Sequence, residues 1–250
     1  RQIRIEAAQD PSAPRPVPPQ EMPAGGSLPG CWFCISNPEA DVELIASIGQ
    51  EIYLCLDKGP VVTDHVMLVG IEHHPSTLRM PPSAIDELSR YLDMLRKCFA
   101  ANGQEMIVME RYMQMRRKGG NHCFVTVVPV APAAGKRAQA SFQEHAQKVG
   151  WSFEELGEDS RESWTGRCTA IQDAVGFGEF LSITLPDGTV LLHPIARGER
   201  HPMNLGREVL ADLLGQPERS EWKECAVDSA KAQQLVEEFK ERFKPYDIIM

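Results

Sequence analysis

The sequence predicts an α+β fold. Three features indicate it: short segments with alternating apolar residues, turn residues that join two pairs of these segments, and longer segments in which apolar residues recur every three or four positions. The chain has 250 residues, of which 42% are hydrophobic, and this is enough for one large core or two smaller ones. We therefore expect antiparallel strand pairs covered by helices.

The first half of the chain is predicted to hold four strands and one long helix. The strands lie within 49–58, 64–73, 104–112 and 122–130. The segment GPVVTD connects the first two, which indicates an antiparallel pair. Between the second and third strands a helix is predicted, with Pro82 suited to its start and Gly103 to its end. Its apolar face has helical spacing and consists of Ile85, Leu88, Leu92, Leu95 and Phe99.

The second half begins near Ala131 and alternates helices with a hairpin. Helices are predicted over 140–156, 204–215 and 228–247, and the hairpin over 178–195 turns at PDG. The first residues are rich in Pro, Ala, Gly and Ser, a composition typical of a linker or an extended arm. The predicted organisation is a flexible arm at 1–29, a first domain at 30–132 and a smaller second domain at 133–250.

Composition and charge limit the possible functions. The formal charge is −9, so contact with nucleic acid requires a local basic patch. No apolar run is long enough to cross a membrane, and the N-terminal residues have no apolar signal segment, so we expect an intracellular protein. The chain begins without Met, which suggests a piece of a longer protein. Seven cysteines, an odd number spread over the chain, do not indicate a disulfide framework.

One cysteine pair has the spacing of metal ligands. Cys31 and Cys34 form a CxxC motif, and zinc is often held by two thiolates and two imidazoles. The remaining ligands would be His122 and one of His73 and His74, which lie at the ends of predicted neighbouring strands. The alternative is a buried CxxC beside a turn and a hydrogen-bonded core histidine at position 122.

Several segments together resemble the C-terminal half of CwfJ-type proteins, which are linked to late splicing and intron-lariat turnover. The resemblance rests on GCWFCISNPE, IGQEIYLCLDKGPVVTDHVMLVGIEHH, HCFVTVVPV, LGREVLADLLGQPERSEWKEC and FKERFKPYD, in this order along the chain. It implies a histidine triad-like domain, with a mostly antiparallel sheet and a long helix, followed by a smaller family-specific α+β domain. It also implies one structural Zn²⁺ on Cys31, Cys34, His73 and His122, with His74 as the alternative to His73.

The resemblance also bears on catalysis. Active triad enzymes transfer or hydrolyse nucleotidyl groups, and the middle histidine of their H-x-H-x-H or H-x-H-x-Q strand attacks the phosphate. Here the three positions are His122, Phe124 and Thr126. A phenyl ring cannot act as a nucleophile or a base, so no catalytic residue is assigned. Asp64 and His65 could be taken for a dyad, but a turn aspartate and a strand-start histidine explain them more simply.

Two basic segments are candidates for RNA contact. The first precedes the triad strand and contains Arg111, Arg116, Arg117 and Lys118, with Tyr112 as a possible base-stacking residue. The second contains His193, Arg197, Arg200, His201 and Arg207. The alternatives are a solvated loop for the first segment and, for Arg207, a structural salt bridge to a nearby glutamate.

These features predict a nuclear, non-catalytic scaffold of late splicing or intron-lariat turnover. Its expected partners are intron or branched RNA, the lariat debranching enzyme and late spliceosome components, without a membrane. The alternative is a nucleotide-processing hydrolase or transferase of the histidine triad type with altered chemistry. A zinc-stabilised protein-binding module without RNA contact is a third, weaker interpretation.

Overall fold

Eight antiparallel strands form one sheet in the order β1-β2-β3-β5-β4-β7-β8-β6. The structure, a computed structural model, describes residues 27–38, 40–114, 121–176, 178–200 and 202–249. The strands are β1 (Ile45–Ile48), β2 (Ile52–Leu56), β3 (Val66–Gly70), β4 (Glu105–Tyr112), β5 (Phe124–Val130), β6 (Glu154–Glu155), β7 (Glu179–Thr184) and β8 (Val190–Ile195). The prediction of an α+β fold with an antiparallel sheet is confirmed.

Seven α-helices accompany the sheet in the described part of the chain. They are α1 (Pro82–Ala101), α2 (Pro132–Lys148), α3 (Asp159–Glu162), α4 (Trp164–Val175), α5 (Leu205–Leu213), α6 (Trp222–Cys225) and α7 (Ser229–Phe243), and short 3-10 turns span Val42–Leu44, Thr77–Arg79 and Pro217–Ser220. The longest helix, α1, starts with proline and ends just before Gly103, which has φ +68°. No helix in these ranges is long and apolar enough to span a bilayer.

The two predicted domains contribute strands to the same sheet. β4 pairs with β7 through a register that sets Val108 opposite Thr184 and Tyr112 opposite Phe180. β7 and β8 form the predicted hairpin, and β2 and β3 form the predicted antiparallel pair. The sheet therefore continues across the predicted boundary at residue 132, which lies at the start of α2.

Helices cover the two faces of the sheet unequally. On one face α1 and α7 bury their apolar residues against β2, β3 and β5, and all five predicted face residues of α1 are buried. On the other face α2 and α5 cover β7 and the ends of β4 and β5. That second face is left uncovered over part of β2, β3, β4 and β5, where a cavity opens.

Several elements differ from the predictions, and the short elements β6, α3 and α6 were not predicted. The helix predicted over 140–156 is α2, which begins earlier at Pro132 and ends at Lys148, because Gly150 adopts φ +83° and breaks the helix. The strand β1 was not predicted. Helix α4 was not predicted either, since its buried face is short and includes an arginine, Arg167.

Candidate metal centre and the adjacent cavity

Four residues from three segments converge near one end of β3 and β5. Cys31 and Cys34 lie in the loop before β1, His73 follows β3 and His122 lies two residues before the start of β5. The antiparallel pairing of Val69 with Phe124 brings the two histidines together. The four side chains are buried, and one ligand atom from each lies within 4.8 Å of the others.

The distances within this cluster match a tetrahedral zinc site. Sγ of Cys31 lies 3.4 Å from Nδ1 of His122, and Sγ of Cys34 lies 3.4 Å from Nδ1 of His73 and 3.5 Å from Nδ1 of His122. Zinc sits about 2.3 Å from sulfur and about 2.0–2.1 Å from nitrogen, which places neighbouring ligands of a tetrahedron about 3.5 Å apart. The donor atoms and their spacing therefore fit Zn²⁺.

Hydrogen bonds around the cluster orient its ligands. Nε2 of His122 donates to the carbonyl oxygen of Gly70 at 2.7 Å, so Nδ1 keeps its lone pair and faces the thiols. The backbone N–H of Leu28 points at Sγ of Cys34, 3.4 Å away. The side-chain amide of Asn37 donates to the carbonyl oxygens of Leu28 and Cys31 and fixes the cysteine loop. Such outer contacts are typical of metal sites.

Burial sets the protonation of the cluster in the metal-free chain. The pKa of His122 is lowered to about 4, chiefly by burial, while the hydrogen bond to Gly70 raises it and the neighbouring His73 and His74 lower it. The imidazole is therefore neutral near pH 7, as a metal ligand must be. Burial raises the pKa of the Cys34 thiol to about 11, so a bound metal must displace its proton.

The geometry distinguishes between the two histidines that the sequence left open. His73 lies in the cluster, whereas Nε2 of His74 lies 3.6 Å from a carboxylate oxygen of Glu72. The backbone carbonyl of His74 accepts from the N–H of Cys123 at 2.6 Å and helps to join this turn to β5. The seven cysteines are free thiols in the structure.

A cavity of about 580 Å³ adjoins the metal cluster on the uncovered face of the sheet. Phe124 and Thr126, the second and third positions of the triad strand, line it. The ring of Phe33 packs against Phe124, with centroids 5.1 Å apart, and lies 5.9 Å from the ring of His122. A phenyl ring and a hydroxyl therefore occupy the cavity wall where a triad enzyme has histidines.

Asp64 and His65 have separate partners and do not form a dyad. Asp64, at φ +67°, forms an ion pair with Arg242 on α7. Nδ1 of His65 accepts from the N–H of Val61 at 3.1 Å, and its ring is buried in the cavity wall. Burial lowers the pKa of His65, although Asp57 at 3.8 Å opposes this shift.

The first basic segment is only partly within the described residues. Arg116, Arg117 and Lys118 lie outside them. The side chain of Arg111 lines the cavity and donates to the carbonyl oxygen of Met203. Tyr112 is buried against Phe180, with ring centroids 6.1 Å apart, so the expectation that it stacks on a base is wrong.

The second basic segment does not form one basic surface. His193 is buried and stacks on Trp151, and its ring nitrogens contact the carbonyl oxygen of Ser152 at 3.0 Å and a carboxylate oxygen of Glu199 at 2.8 Å. The structure therefore does not offer His193 to RNA. The prediction of RNA contact at His193 took this side chain for an exposed one. In the structure its position on β8 places it against the Trp151 ring and not in solvent.

Arg207 is also engaged within the protein. Its guanidinium donates to the carbonyl oxygens of Arg219 and Gly59 and lies 3.8 Å from a carboxylate oxygen of Asp57. Arg207 therefore lies near a carboxylate, as the alternative interpretation had it, but the partner is Asp57 and not a glutamate. Arg197 and Arg200 are exposed, and His201 lies outside the described residues.

A buried ion pair was missed by the sequence analysis. Arg167 on α4 and Glu110 on β4 are each 1% exposed, and their closest charged atoms are 3.4 Å apart. Arg167 also donates to Ser182 at 2.5 Å and stacks over the Trp164 ring at 4.0 Å. Glu110 accepts from the N–H and the hydroxyl of Thr77 at 2.8 and 2.7 Å. No motif in the sequence signals this pair.

Comparison with known proteins identifies relatives that are longer than this chain. It is 35% identical over 217 residues to zinc finger CCCH domain-containing protein 64 of Arabidopsis thaliana, covering 87% of this chain and 35% of that protein. It is 30% identical to CWF19-like protein 1 of Xenopus laevis, covering 88% of this chain and 39% of that protein. The chain thus spans little more than a third of these relatives.

Solved structures with similar folds share little sequence with it. Yeast Ap4A phosphorylase Apa2 is 16% identical, with a TM-score of 0.43, covering 78% of this chain and 80% of that one. A histidine triad nucleotide-binding protein from Candida albicans is 15% identical, with a TM-score of 0.31, covering 35% of this chain and 66% of that one.

Family models match both halves of the chain. The model described as protein similar to CwfJ C-terminal matches residues 25–143, and the model described as protein similar to CwfJ C-terminus 2 matches residues 170–248. The two matches occur in the order that the sequence motifs predict. This chain therefore belongs to the family of CwfJ C-terminal-like proteins.

Proposed function

We propose that this chain is a non-catalytic module of late splicing or intron-lariat turnover, which holds RNA, the lariat debranching enzyme or both. A protein with this role works in the nucleus, where splicing takes place. The observation that carries the proposal is the replacement of two triad histidines by Phe124 and Thr126 in the wall of an intact cavity. A cavity without its nucleophile is suited to binding rather than to chemistry.

The metal centre supports the same proposal. Cys31 and Cys34, together with His73 and His122, use all four positions of a tetrahedral site, whereas catalytic zinc sites keep one position for water or substrate. The zinc that fits here is structural. It would join the cysteine loop to the ends of β3 and β5, beside the cavity.

A second candidate function, a nucleotide-processing enzyme with altered chemistry, is favoured by one observation. His65 gives the cavity a buried imidazole, which could act as a general base even though Phe124 cannot. Incubation of the purified chain with adenylated or dinucleoside polyphosphate substrates tests this candidate. Turnover, or a covalent nucleotidyl adduct, that disappears in His65→Gln would replace the non-catalytic proposal.

The binding proposal is tested with two purified partners, a branched lariat-like RNA and the debranching enzyme. Binding to RNA should weaken with salt, because each phosphate contact on a single strand contributes about −0.7 to the log–log slope. Binding to the enzyme is measured separately by titration without RNA. The proposal fails if neither partner binds the parent chain at low salt.

A further inference from the structure

The most exposed aromatic ring described in the chain belongs to Trp32, which lies between the two cysteines of the metal cluster. Trp32 is 64% exposed, whereas Cys31 and Cys34 are 0% and 1% exposed. The buried cysteines hold the backbone on both sides of the indole. An exposed tryptophan on an anchored loop is typical of a contact surface, since large aromatic rings dominate binding energies.

The loop is held at a third point by its other aromatic residue. The carbonyl oxygen of Phe33 accepts from the hydroxyl of Tyr53 at 2.8 Å, and its ring packs on Phe124. Phe33 therefore faces the sheet while Trp32 faces solvent. The position of the indole is set by the fold, and its ordering costs little further entropy on binding.

Trp32 forms part of the mouth of the cavity. The lining also includes Trp222 from α6 and Met203, which is 45% exposed. Tyr53 and Phe124 add two more aromatic rings to it. A cavity of about 580 Å³ is within the range of about 300–1,000 Å³ typical of small-molecule sites.

The charge on the cavity wall favours an anionic occupant. Arg111 donates to a backbone carbonyl, that of Met203, and within the part of the chain that the structure describes no carboxylate pairs with it. The other two cations of the lining are neutralised, since Lys58 pairs with Asp41 and Arg207 lies near Asp57. One guanidinium therefore remains uncompensated in a chain with a formal charge of −9.

We propose that Trp32 stacks against an unpaired base of single-stranded RNA at the mouth of this cavity, and that Arg111 contacts an adjacent phosphate. The inference rests on the proposed RNA-binding function and names the surface that performs it. An exposed aromatic ring and a guanidinium without a carboxylate partner, both in the lining of one cavity, match the alternation of base and phosphate along a single strand. Stacking tolerates any base, so sequence preference should be weak.

Trp32→Ala tests the stacking directly, because its exposed ring leaves the core and the metal ligands in place. With a short oligoadenylate as the probe, binding should weaken about 5- to 150-fold, the range for one stacked base. Trp32→Phe should recover most of the affinity. Ile48→Ala, which removes a side chain 52% exposed on β1 and outside the cavity lining, is the matched control and should bind as the parent does.

Arg111→Gln tests the phosphate contact. It should reduce the magnitude of the log–log salt slope by about 0.7, whereas Trp32→Ala should leave the slope unchanged. Arg96→Gln, which removes an exposed arginine on α1, is its control. An oligomer of abasic ribose phosphates should bind the parent weakly and should not distinguish Trp32→Ala from it.

The outcomes separate the inference from the function on which it rests. If the parent binds the oligonucleotide and Trp32→Ala binds it equally well, the stacking inference is overturned while RNA binding stands. If the parent binds no RNA, the inference fails, and the proposed function fails with it only if the debranching enzyme does not bind either. If the parent binds only the debranching enzyme and Trp32→Ala abolishes that complex, this surface docks a protein and the inference is wrong.

Discussion

The metal cluster and the ion pair of Glu110 and Arg167 are two buried polar centres that meet just before β5. His122 belongs to the first, and the next residue, Cys123, has its sulfur 3.8 Å from Glu110 in the second. Successive residues of an extended chain point in opposite directions, so adjacent positions serve different centres. Both centres join segments far apart in sequence, 91 residues between Cys31 and His122 and 57 between Glu110 and Arg167.

The two centres differ in what satisfies their buried polar groups. The ion pair is complete within the chain, because a carboxylate, a guanidinium and hydroxyl groups satisfy one another. The metal cluster brings together two thiols and two imidazoles whose ligand atoms face one another, and the Cys34 thiol keeps its proton until a metal cation displaces it. The contribution of the ion pair to stability should therefore not depend on metal, whereas the metal cluster should stabilise the fold only when metal is bound.

Removing the metal should have the largest effect on stability. We expect one zinc per chain by elemental analysis, and a large fall in Tm after chelation that zinc reverses. Structural zinc contributes about 10–16 kcal/mol of apparent binding energy in zinc-finger peptides, which is comparable to the whole stability of a domain. Cys34→Ser should lower the Tm in the same way and remove the response to chelator.

The matched control for this experiment is Cys225→Ser, because Cys225 is a free cysteine outside the cluster. It should retain one zinc and the parent response to chelator. Equal melting temperatures for the parent with and without zinc would contradict the assignment of a structural metal.

Breaking the ion pair should have the next largest effect. Arg167→Met leaves the carboxylate of Glu110 buried without its cation, and such a change costs about 3–5 kcal/mol. Denaturant unfolding in the presence and absence of zinc measures this loss, and we expect it to be similar in both. Arg96→Met, which breaks an exposed pair with Asp93, should cost about 0–1 kcal/mol.

A result for Arg167→Met as small as that for Arg96→Met would mean that the buried pair contributes no more than a surface pair. A loss that appears only in the zinc-bound protein would mean that the two centres act as one unit through Cys123. Either result would contradict the prediction that the buried ion pair stabilises the fold independently of the metal cluster.

The two centres also differ in how well the sequence reveals them. Cys31 and Cys34 have ligand spacing, and His73 and His122 occupy the ends of predicted strands, so the four residue types suggested a site before the structure placed them. Spacing alone did not show whether His73 or His74 is the ligand. Glu110 and Arg167 have no such pattern, because their contact depends on the pairing of β4 with β7, which is non-local.

Local patterns succeeded where neighbouring residues determine structure. The face of α1, the β2–β3 pair and the β7–β8 hairpin follow from periodicity and turn residues. Basic residues were misjudged for the opposite reason. His193 and Arg207 look like surface cations in sequence, but the ring of Trp151 and the loop at Asp57 come from distant segments.

The guanidinium of Arg207, like that of Arg167, has its partners within the chain. Arg207→Gln loses contacts with two carbonyl oxygens and with Asp57, and hydrogen bonds to a charged group are each worth about 1.5–3 kcal/mol. We expect a loss of stability of about 2 kcal/mol that zinc does not change, measured by denaturant unfolding. Unchanged stability with weaker RNA binding would instead restore Arg207 to the RNA surface.

Arg197 and Arg200 should give the smallest effect on stability, because both are exposed. Their joint replacement by Gln should change the free energy of unfolding by no more than about 0.5 kcal/mol. If both contact phosphates of a single strand, the magnitude of the log–log salt slope should fall by about 1.4. An unchanged slope with a lariat-like RNA would exclude this segment as an RNA contact and leave the cavity mouth at Trp32 and Arg111 as the surface to test. A change in stability would instead show that Arg197 and Arg200 have a structural role, as Arg207 has. The distinction between an arginine paired within the chain and exposed arginines that could bind a partner would then not hold for this segment.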